Sequence, residues 1–300
     1  MDHFKRRVVI TGIGAVTPLG ENAPNFWNGL VNGVSGVGPM TLADPRDYPC
    51  QISGEVSGFD PEKYMERKES RRLARFSQLA IVATSEAIDQ AGITPSNIDT
   101  ETMGACIGNG NGGFPTIDES MRVLVDKGGM RLSPFFFPMI LPNMAAANLS
   151  RYFSARGPSS TIVTACAAST QSIAHAVDLI RLGRAEVMIS GGTEAGISQL
   201  GLAGFSVMRA LSNRNSSPQE ASRPFDADRD GFVPAEGAGI LILESLDHAK
   251  KRGARILAEV LGHGESSDAN HQFQPDDDGG GAARAIRWAL EDSHIGPHEV

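Results

Sequence analysis

The stretch TIVTACAASTQSIAHAVDLIRLG, residues 161–183, contains the junction that decides the fold class of this chain. TIVTAC is typical of a short strand, and ASTQSIAHAVDLIRLG is typical of a helix that ends at a glycine. Outward from this junction, strand-like and helix-like runs alternate along most of the chain. The alternation predicts an α/β protein whose sheet is covered by helices on both faces.

The other elements follow from the same patterns. We expect strands at RRVVITGIG and AEVMISGGTEA, each closed by a glycine turn, and further strands at TMGACIGNG, GAGILILES and, as a longer one, ARILAEVLGHGESSD. We expect helices at FWNGLVNG, residues 70–92, DHAKKRG and GGGAARAIRWALEDSHI.

Composition excludes several classes of protein. The 300 residues are 41% apolar and 21% charged, as in ordinary globular proteins, and no apolar run approaches the roughly 20 residues that span a membrane. The N-terminal MDHFKRRVVITG lacks the apolar region and cleavage site of a signal peptide. A net charge of −8 argues against general nucleic-acid binding, and three cysteines favour a reducing compartment. We therefore expect a cytoplasmic protein that binds neither nucleic acid nor membrane.

Cys166 lies where the strand of residues 161–166 passes into the helix. A helix N-terminus presents unpaired N–H groups and a partial positive charge, which stabilise a thiolate and can hold an oxyanion. The flanking alanines leave room for a substrate. Position alone leaves two interpretations open, an acyl-accepting nucleophile and a buried structural cysteine. Cys50 and Cys106 lack this setting, and we interpret both as structural.

Two loops match known binding motifs only in part. GNGNGGF, residues 108–114, satisfies G-x-G-x-x-G after a strand, but the second strand that a dinucleotide site requires does not follow. DADRDGFVPAEG, residues 226–237, begins like a calcium loop but has Gly237 where the twelfth position requires Glu. We interpret the first as a tight loop lining a pocket and the second as a polar turn, so neither cofactor nor metal is expected.

The seven histidines do not identify a base for the cysteine by spacing. His175 follows Cys166 by nine residues, more than two helical turns, and His263 and His271 flank a Gly-Ser-Asp loop. We interpret each histidine as a surface or core residue.

Four segments together resemble β-ketoacyl-[acyl-carrier-protein] synthases of type II, the condensing enzymes that elongate fatty acids. They are RRVVITGIGAVTPLG (6–20), TACAAST (164–170), GFSVMRALSNRN (204–215) and RPFDADRDGFVPAEGAG (223–239), in the family's order. The resemblance implies that Cys166 takes an acyl chain from an acyl carrier protein as a thioester. Malonyl on a second carrier is then decarboxylated and attacks the acyl group, which gives a chain two carbons longer. No cofactor is implied, because phosphopantetheine arrives on the carrier.

The resemblance also implies a thiolase-like fold, an αβαβα layered core of two similar halves, usually in a homodimer. Residues 1–254 would form the complete N-terminal half with the nucleophile, and residues 255–300 the start of a truncated C-terminal half. The family needs two histidines, one in H-G-T-[ST], and a lysine for decarboxylation, and this sequence contains no HGT. We therefore expect this chain alone to be unable to condense, and the missing strands to leave exposed sheet edges.

Pocket and docking residues are implied in the same way. The pocket is expected to contain Asn111, Gly112, Gly113, Phe205, Phe232 and Phe273. Two of these depart from the family's pattern, because Asn111 stands where long-chain enzymes often have Ile and Phe273 where a Thr is common. The acidic carrier is expected to dock on Lys68, Arg71, Arg72, Arg131 and Arg209. For the first three, a solvated helix face is the open alternative.

Other functions remain open at this point. Modular polyketide ketosynthases typically have D-T-A-C-S-S around the cysteine, and thiolases lack the RPFDADRDGF block. A non-catalytic partner of the chain-length-factor kind typically replaces the nucleophile. An esterase of the α/β-hydrolase type needs G-x-S-x-G, which TACAA does not match. A fatty-acyl condensing enzyme is therefore the favoured interpretation, with a polyketide ketosynthase and a non-catalytic partner as alternatives.

Overall fold

The computed structural model describes residues 6–271 and 273–300, so the N-terminal MDHFK lies outside the described residues. The strands are β1 (Val8–Val16), β2 (Val37–Pro39), β3 (Ile52–Gly54), β4 (Met103–Gly108), β5 (Ser159–Ile162), β6 (Val187–Ala195), β7 (Glu236–Ser245) and β8 (Ala258–Val260). The helices are α1 (Ala23–Val31), α2 (Arg67–Ser70), α3 (Arg75–Ala91), α4 (Phe114–Lys127), α5 (Phe136–Ile140), α6 (Met144–Tyr152), α7 (Ala168–Arg181), α8 (Gln199–Val207), α9 (Leu246–Lys251) and α10 (Gly280–Ser293).

One mixed sheet organises these elements. Its strand order is β5-β4-β6-β7-β1-β8, and β2 and β3 form a separate antiparallel ribbon. Strand β4 runs parallel to β5 and β6, whereas β7 is antiparallel to both β6 and β1. With helices packed on both of its faces, the sheet confirms the α/β class predicted from the alternation of strands and helices.

Helix α3 covers one face of the sheet. Its buried side chains, among them Phe76 and Leu79, pack in one cluster with Ile240 and Ile242 of β7. Gly12 and Gly14 of β1 let the helix approach, because a Cβ at either position would overlap a backbone oxygen of α3. The sequence pattern predicted a turn at these glycines. The structure instead keeps β1 extended through both of them.

Helix α7 covers the opposite face. Val177 and Ile180 are buried against Met188 of β6 and Leu243 of β7. Strand β6 also runs through its glycine pair to Ala195, where a turn had been expected. Gly12 and Gly14 of β1 and Gly192 of β6 serve close helix packing, and a glycine pattern alone does not distinguish that role from a turn.

The C-terminal segment attaches to β1 through β8 and to α7 through side-chain hydrogen bonds. Strand β8 pairs with β1 over three residues, so most of the longer strand expected at ARILAEVLGHGESSD is irregular backbone. Helix α10 has Gly281 as its one buried residue and leaves Ile286 and Trp288 exposed. Strands β5 and β8 form the two edges of the described sheet. The proposed division into residues 1–254 and 255–300 stays a prediction.

Among the described residues, no helix is both long enough and apolar enough to cross a membrane.

Candidate active site

Cys166 lies in a single 3-10 turn, Ala165–Ala167, between the end of β5 and the first residue of α7. This is the strand-to-helix junction that the sequence predicted. Ala165 has φ of +50°, a left-handed conformation that is uncommon for a residue with a side chain. The turn is held by the N–H of Ala167, which donates to the carbonyl of Thr164 (3.1 Å). The chain therefore bends sharply at the residue before the cysteine.

The thiol environment separates Cys166 from the other two cysteines. Cys166 is exposed, whereas Cys50 and Cys106 are buried, and all three are free thiols. Burial raises the pKa of Cys50 and of Cys106, which disfavours their reactive thiolate forms. In the part of the chain that the structure describes, the Cys166 N–H has no backbone acceptor outside its own helical turn. This N–H belongs to the turn that leads into α7, where a donor suits the carbonyl oxygen of an acyl group bound to the sulfur.

Close packing of α7 on the sheet fixes the height of Cys166. A Cβ at Gly108 would overlap the backbone of Ala168, and a Cβ at Gly192 would lie 2.6 Å from the Cβ of Ser169. Gly108 is the last residue of β4, and Gly192 lies near the end of β6. The first turn of α7 consequently rests directly on strand backbone, and the cysteine lies at the edge of the sheet.

A cavity of about 640 Å³ opens beside Cys166. Its floor includes four small residues that are consecutive register partners across the sheet: Gly108, Gly192, Gly239 and Ala15. The volume lies in the range of small-molecule sites. The sequence predicted a turn at Gly192 and the end of a strand at Gly108. Only the strand register shows that the two glycines share one row.

The side wall of the cavity is apolar. Phe205 and Phe232 meet edge to face with ring centroids 5.1 Å apart, and both line the cavity, as does Asn111. Other large apolar side chains that line the cavity are Phe26, Met40, Ile197, Leu202, Leu211 and Val233. The structure therefore brings three of the expected pocket residues together with the cysteine.

The structure places Gly112, Gly113 and Phe273 outside the cavity lining. The N–H of Gly113 donates to the carbonyl of Ile140 (3.0 Å), and a side chain at either glycine would overlap a backbone oxygen of α5. These glycines let the loop lie against α5, so they support the wall from behind. Phe273 is 69% exposed and lies beside His271.

Glu194, which the sequence analysis missed, also lines the cavity. Its carboxylate accepts hydrogen bonds from the N–H groups of Gly110 (3.0 Å) and Asn111 (3.1 Å). Burial raises the pKa of Glu194 above its ordinary value, although these N–H donors act in the opposite direction. A single acidic residue in ISGGTEA gave no sequence signal for this contact.

Three of the expected docking residues surround one surface groove. Lys68, Arg71 and Arg72 are exposed and line the groove together with Arg67 and Phe135. The guanidinium of Arg72 lies over the ring of Phe135, 4.8 Å from its centroid. Such a groove offers positive charge around one aromatic ring.

The other two expected docking residues lie apart from that groove. Arg131 ends a 3-10 turn after α4, and Arg209 follows α8 with φ of +54°. Both are exposed. Their role in docking stays a prediction.

Among the residues that the structure describes, no histidine lines the cavity beside Cys166. His175 and His263 line a separate polar cleft of about 530 Å³ between α7 and the segment after β8. There the ring of His263 pairs with Asp178 (3.0 Å), and this hydrogen bond raises the pKa of His263. We find these two histidines in the junction between α7 and the C-terminal segment.

An exposed cysteine at a helix N-terminus and a largely apolar cavity beside it fit one class of enzyme, the cysteine acyltransferases of thiolase-like fold. The comparisons place the chain within that class. Residues 5–249 match the family model described as beta-ketoacyl synthase, N-terminal domain. The chain belongs to the beta-ketoacyl synthase family.

Similar proteins agree with this assignment. The chain is 46% identical over 296 residues to a 3-oxoacyl-[acyl-carrier-protein] synthase 2 of Synechocystis sp. (strain ATCC 27184 / PCC 6803 / Kazusa), and the match covers 99% of this chain and 71% of that protein. A beta-ketoacyl synthase structure from Burkholderia phymatum STM815 superposes with a TM-score of 0.87 at 33% identity, covering 97% of this chain and 71% of the other. A structure of a type II PKS acyl-carrier protein in complex with its ketosynthase bound to the hexaketide gives 0.82 at 35%, with the same coverage.

Proposed function

We propose that this protein is a fatty-acyl 3-oxoacyl-[acyl-carrier-protein] synthase in which Cys166 carries the growing chain. The observation that carries the proposal is the opening of an apolar cavity directly beside the one exposed cysteine of the described residues. A thioester bound there would place its carbonyl at the sulfur and its alkyl chain against Phe205 and Phe232. The 46% identity to a protein named for this activity supports the same reaction.

The acyl transfer is a thioester exchange. The Cys166 sulfur forms a bond to the acyl carbonyl carbon while the bond from that carbon to the carrier's pantetheine sulfur breaks. The proton of the cysteine leaves with the carrier thiol, so atoms balance without an added reactant. The Cys166 N–H would stabilise the negative oxygen of the tetrahedral intermediate.

The second half of the reaction joins two carbons. Loss of carbon dioxide from malonyl on its carrier leaves an electron pair on carbon, which attacks the acyl carbonyl and releases the Cys166 sulfur. By resemblance, two histidines and a lysine of the family assist this step, and the His-Gly-Thr sequence is not among residues 1–300. We therefore propose that these residues alone accept an acyl group without extending it.

The carrier protein is proposed to dock on the groove of Lys68, Arg71 and Arg72. Positive charge on this groove complements the acidic carriers that the family uses. The ketosynthase structure solved with its acyl-carrier protein supports a carrier as partner. We also propose a cytoplasmic location, in keeping with three free thiols.

A homodimer is proposed as well. Val125, Met130 and Phe137, on or between α4 and α5, are largely exposed apolar side chains, and such a surface favours burial against a partner. Molar mass by light scattering should show twice the chain mass, and Met130→Asp with Phe137→Asp should reduce it to the chain mass. A molar mass equal to that of one chain for the unsubstituted protein would contradict the proposal.

A polyketide ketosynthase is the second candidate, favoured by the hexaketide-bound structure at 35% identity. Donor preference distinguishes the two. Octanoyl groups are offered on a carrier protein and on coenzyme A, and a poly-3-oxoacyl mimic is offered on the same carrier, with release of free thiol as the measurement. The proposal predicts fastest transfer from octanoyl carrier protein. Preference for the polyoxo mimic would favour the polyketide enzyme, and preference for coenzyme A would contradict both.

A further inference from the structure

The loop Asn109–Gly113 lines one wall of the cavity with its first three residues and is attached to the end of β6 by side-chain hydrogen bonds. The amide of Asn109 donates to the carbonyl of Thr193 (2.6 Å), and its oxygen accepts the N–H of Gly112 (2.7 Å). The Glu194 carboxylate accepts the two N–H groups between them. Four hydrogen bonds therefore fix a loop that has no regular secondary structure.

Glu194 is the acidic member of this attachment, and Gly110 lies between its carboxylate and the turn that holds Cys166. A Cβ built at Gly110 would be 2.9 Å from the Glu194 carboxylate and 3.7 Å from the α-carbon of Ala165. Gly110 therefore packs against the residue before Cys166. A Cβ at this position would make an ordinary contact with Ala165 but would require the Glu194 carboxylate to shift.

We propose that Glu194 is a positioning residue for acyl-chain length, because its carboxylate holds the loop Asn109–Gly113 as the wall of the cavity beside Cys166. The identity of the cavity's natural occupant rests on the proposed function. The position of the wall rests on the hydrogen bonds alone.

The chemistry of the group suits this role. One carboxylate oxygen accepts both the Gly110 and Asn111 N–H groups, and the other oxygen accepts the N–H of Ala195 (3.3 Å). Hydrogen bonds to a charged acceptor are roughly twice as strong as neutral ones. Without the carboxylate, these partly buried donors would lose their acceptor and the loop would open toward solvent. Asn111, whose side chain lies against Gly196, would then move out of the cavity wall.

The test uses alkylating probes that need no carrier protein. Second-order rates of Cys166 alkylation are measured by intact mass with iodoacetamide and with N-octyl iodoacetamide. The proteins are the unsubstituted chain, Glu194→Ala, Glu194→Gln and a control, Glu186→Ala. Glu186 is a partly buried carboxylate at the opposite end of β6, where it accepts from Arg6 and Ser245. Amide hydrogen exchange at Gly110 and Asn111 is measured in the same proteins.

We expect the rate with the octyl probe, divided by the rate with the parent probe, to fall at least fivefold in Glu194→Ala. The Gly110 and Asn111 amides should exchange at least tenfold faster in that variant. Glu194→Gln keeps one neutral acceptor oxygen and should give values between those of Glu194→Ala and the unsubstituted chain, and Glu186→Ala should leave both readouts unchanged. An unchanged probe ratio in Glu194→Ala, or unchanged amide exchange, would overturn the proposal.

A second arm keeps this inference separate from the proposed function. The same proteins are offered hexanoyl and dodecanoyl groups on a carrier protein. Failure of the unsubstituted chain to take either group would overturn the proposed function, whereas the alkylation ratio decides the role of Glu194 independently. If acylation occurs, a length preference that is unaltered in Glu194→Ala would overturn the inference while the proposed function stands.

Discussion

Arg75, at the start of α3, and Glu236, at the start of β7, form a bidentate ion pair at the cavity wall. The Arg75 Nε and Nη2 atoms donate to the two oxygens of the Glu236 carboxylate, each at 2.6 Å. The carboxylate is almost fully buried and also accepts the N–H of Val56 (2.9 Å). Glu236 lines the cavity, so this pair joins the cavity wall to the helix that covers the sheet.

Removing the Arg75 side chain should therefore lower the free energy of unfolding of the protein. Arg75→Met leaves a buried carboxylate without its cation, and we expect a loss of about 3 kcal/mol in the free energy of unfolding in urea. The matched control is Arg151→Met, because Arg151 pairs with Glu69 at the surface. The control should cost less than about 1 kcal/mol. Equal costs for the two variants would contradict the assigned importance of the Arg75–Glu236 pair.

Glu244 predicts a loss of stability in acid. Burial opposes its ionised form, but hydrogen bonds from Arg252, Thr11 and His248 outweigh burial and hold the pKa of Glu244 below its ordinary 4.5. A carboxyl whose pKa is lowered by folding stabilises the protein above its unfolded value, and this contribution is lost as the pH falls through the folded value. Glu244→Gln should be less stable than the unsubstituted chain at neutral pH, and the gap should close below pH 4.5. A gap that is constant between pH 7 and pH 3 would count against this assignment.

His263 predicts the opposite dependence in the C-terminal segment. The His263 ring pairs with Asp178, and the backbone N–H of His263 donates to Asp292. Asp292 also accepts a hydrogen bond from Arg181 of α7. The pKa of His263 is raised above 6.5, mainly by the hydrogen bond to Asp178. This contribution to stability is complete below 6.5 and is lost as the pH rises through the folded value.

Hydrogen exchange of residues 258–263, corrected for its intrinsic pH dependence, measures that loss. Protection should decrease several-fold as the pH rises from 6 to 8, and His263→Gln should remove the pH dependence. His175→Gln is the control, since His175 lines the same cleft but is exposed. Persistence of the full pH dependence in His263→Gln would show that another group is responsible.

The basic groove predicts a charge effect on encounter with the carrier. Lys68→Glu with Arg71→Glu should lower kcat/KM for acyl transfer from carrier protein at least tenfold at low salt, and added salt should reduce the difference. Alkylation of Cys166 by iodoacetamide should be unaffected because the probe is uncharged. Lys250→Glu with Lys251→Glu makes the same charge change on the exposed side of α9. If both double variants lose activity equally, net charge and not this groove governs encounter.

Local pattern was sufficient for the class of fold and for the position of Cys166 between a strand and a helix. Helical spacing of apolar residues predicted α3, and the passage from β-branched to helix-forming residues placed Cys166 at the start of α7. Both are properties of residues close together in the chain, which a single sequence reveals directly. The family resemblance then brought in Asn111, Phe205 and Phe232, all of which line the cavity.

Long-range register was beyond local pattern. Gly192 and Gly239 share a row of the cavity floor because β6 and β7 pair in one register. The sequence predicts a glycine turn at Gly192 and places Gly239 within a strand. The position of Glu194 was likewise beyond local pattern, since its hydrogen-bond partners Gly110 and Asn111 lie more than eighty residues away in sequence. Gly113 was expected in the pocket, yet the backbone of α5 occupies the space beside it. In each case a partner distant in sequence decides where the residue lies.

The central claim is that Cys166 accepts an acyl group that occupies the adjoining cavity, and intact mass tests it most directly. The chain is incubated with octanoyl-carrier thioester beside Cys166→Ala and Cys50→Ala. We predict one octanoyl group on the unsubstituted chain and on Cys50→Ala, removable by hydroxylamine, and none on Cys166→Ala. An octanoyl group on Cys166→Ala, or none on any of the three proteins while circular dichroism shows them folded, would contradict the account.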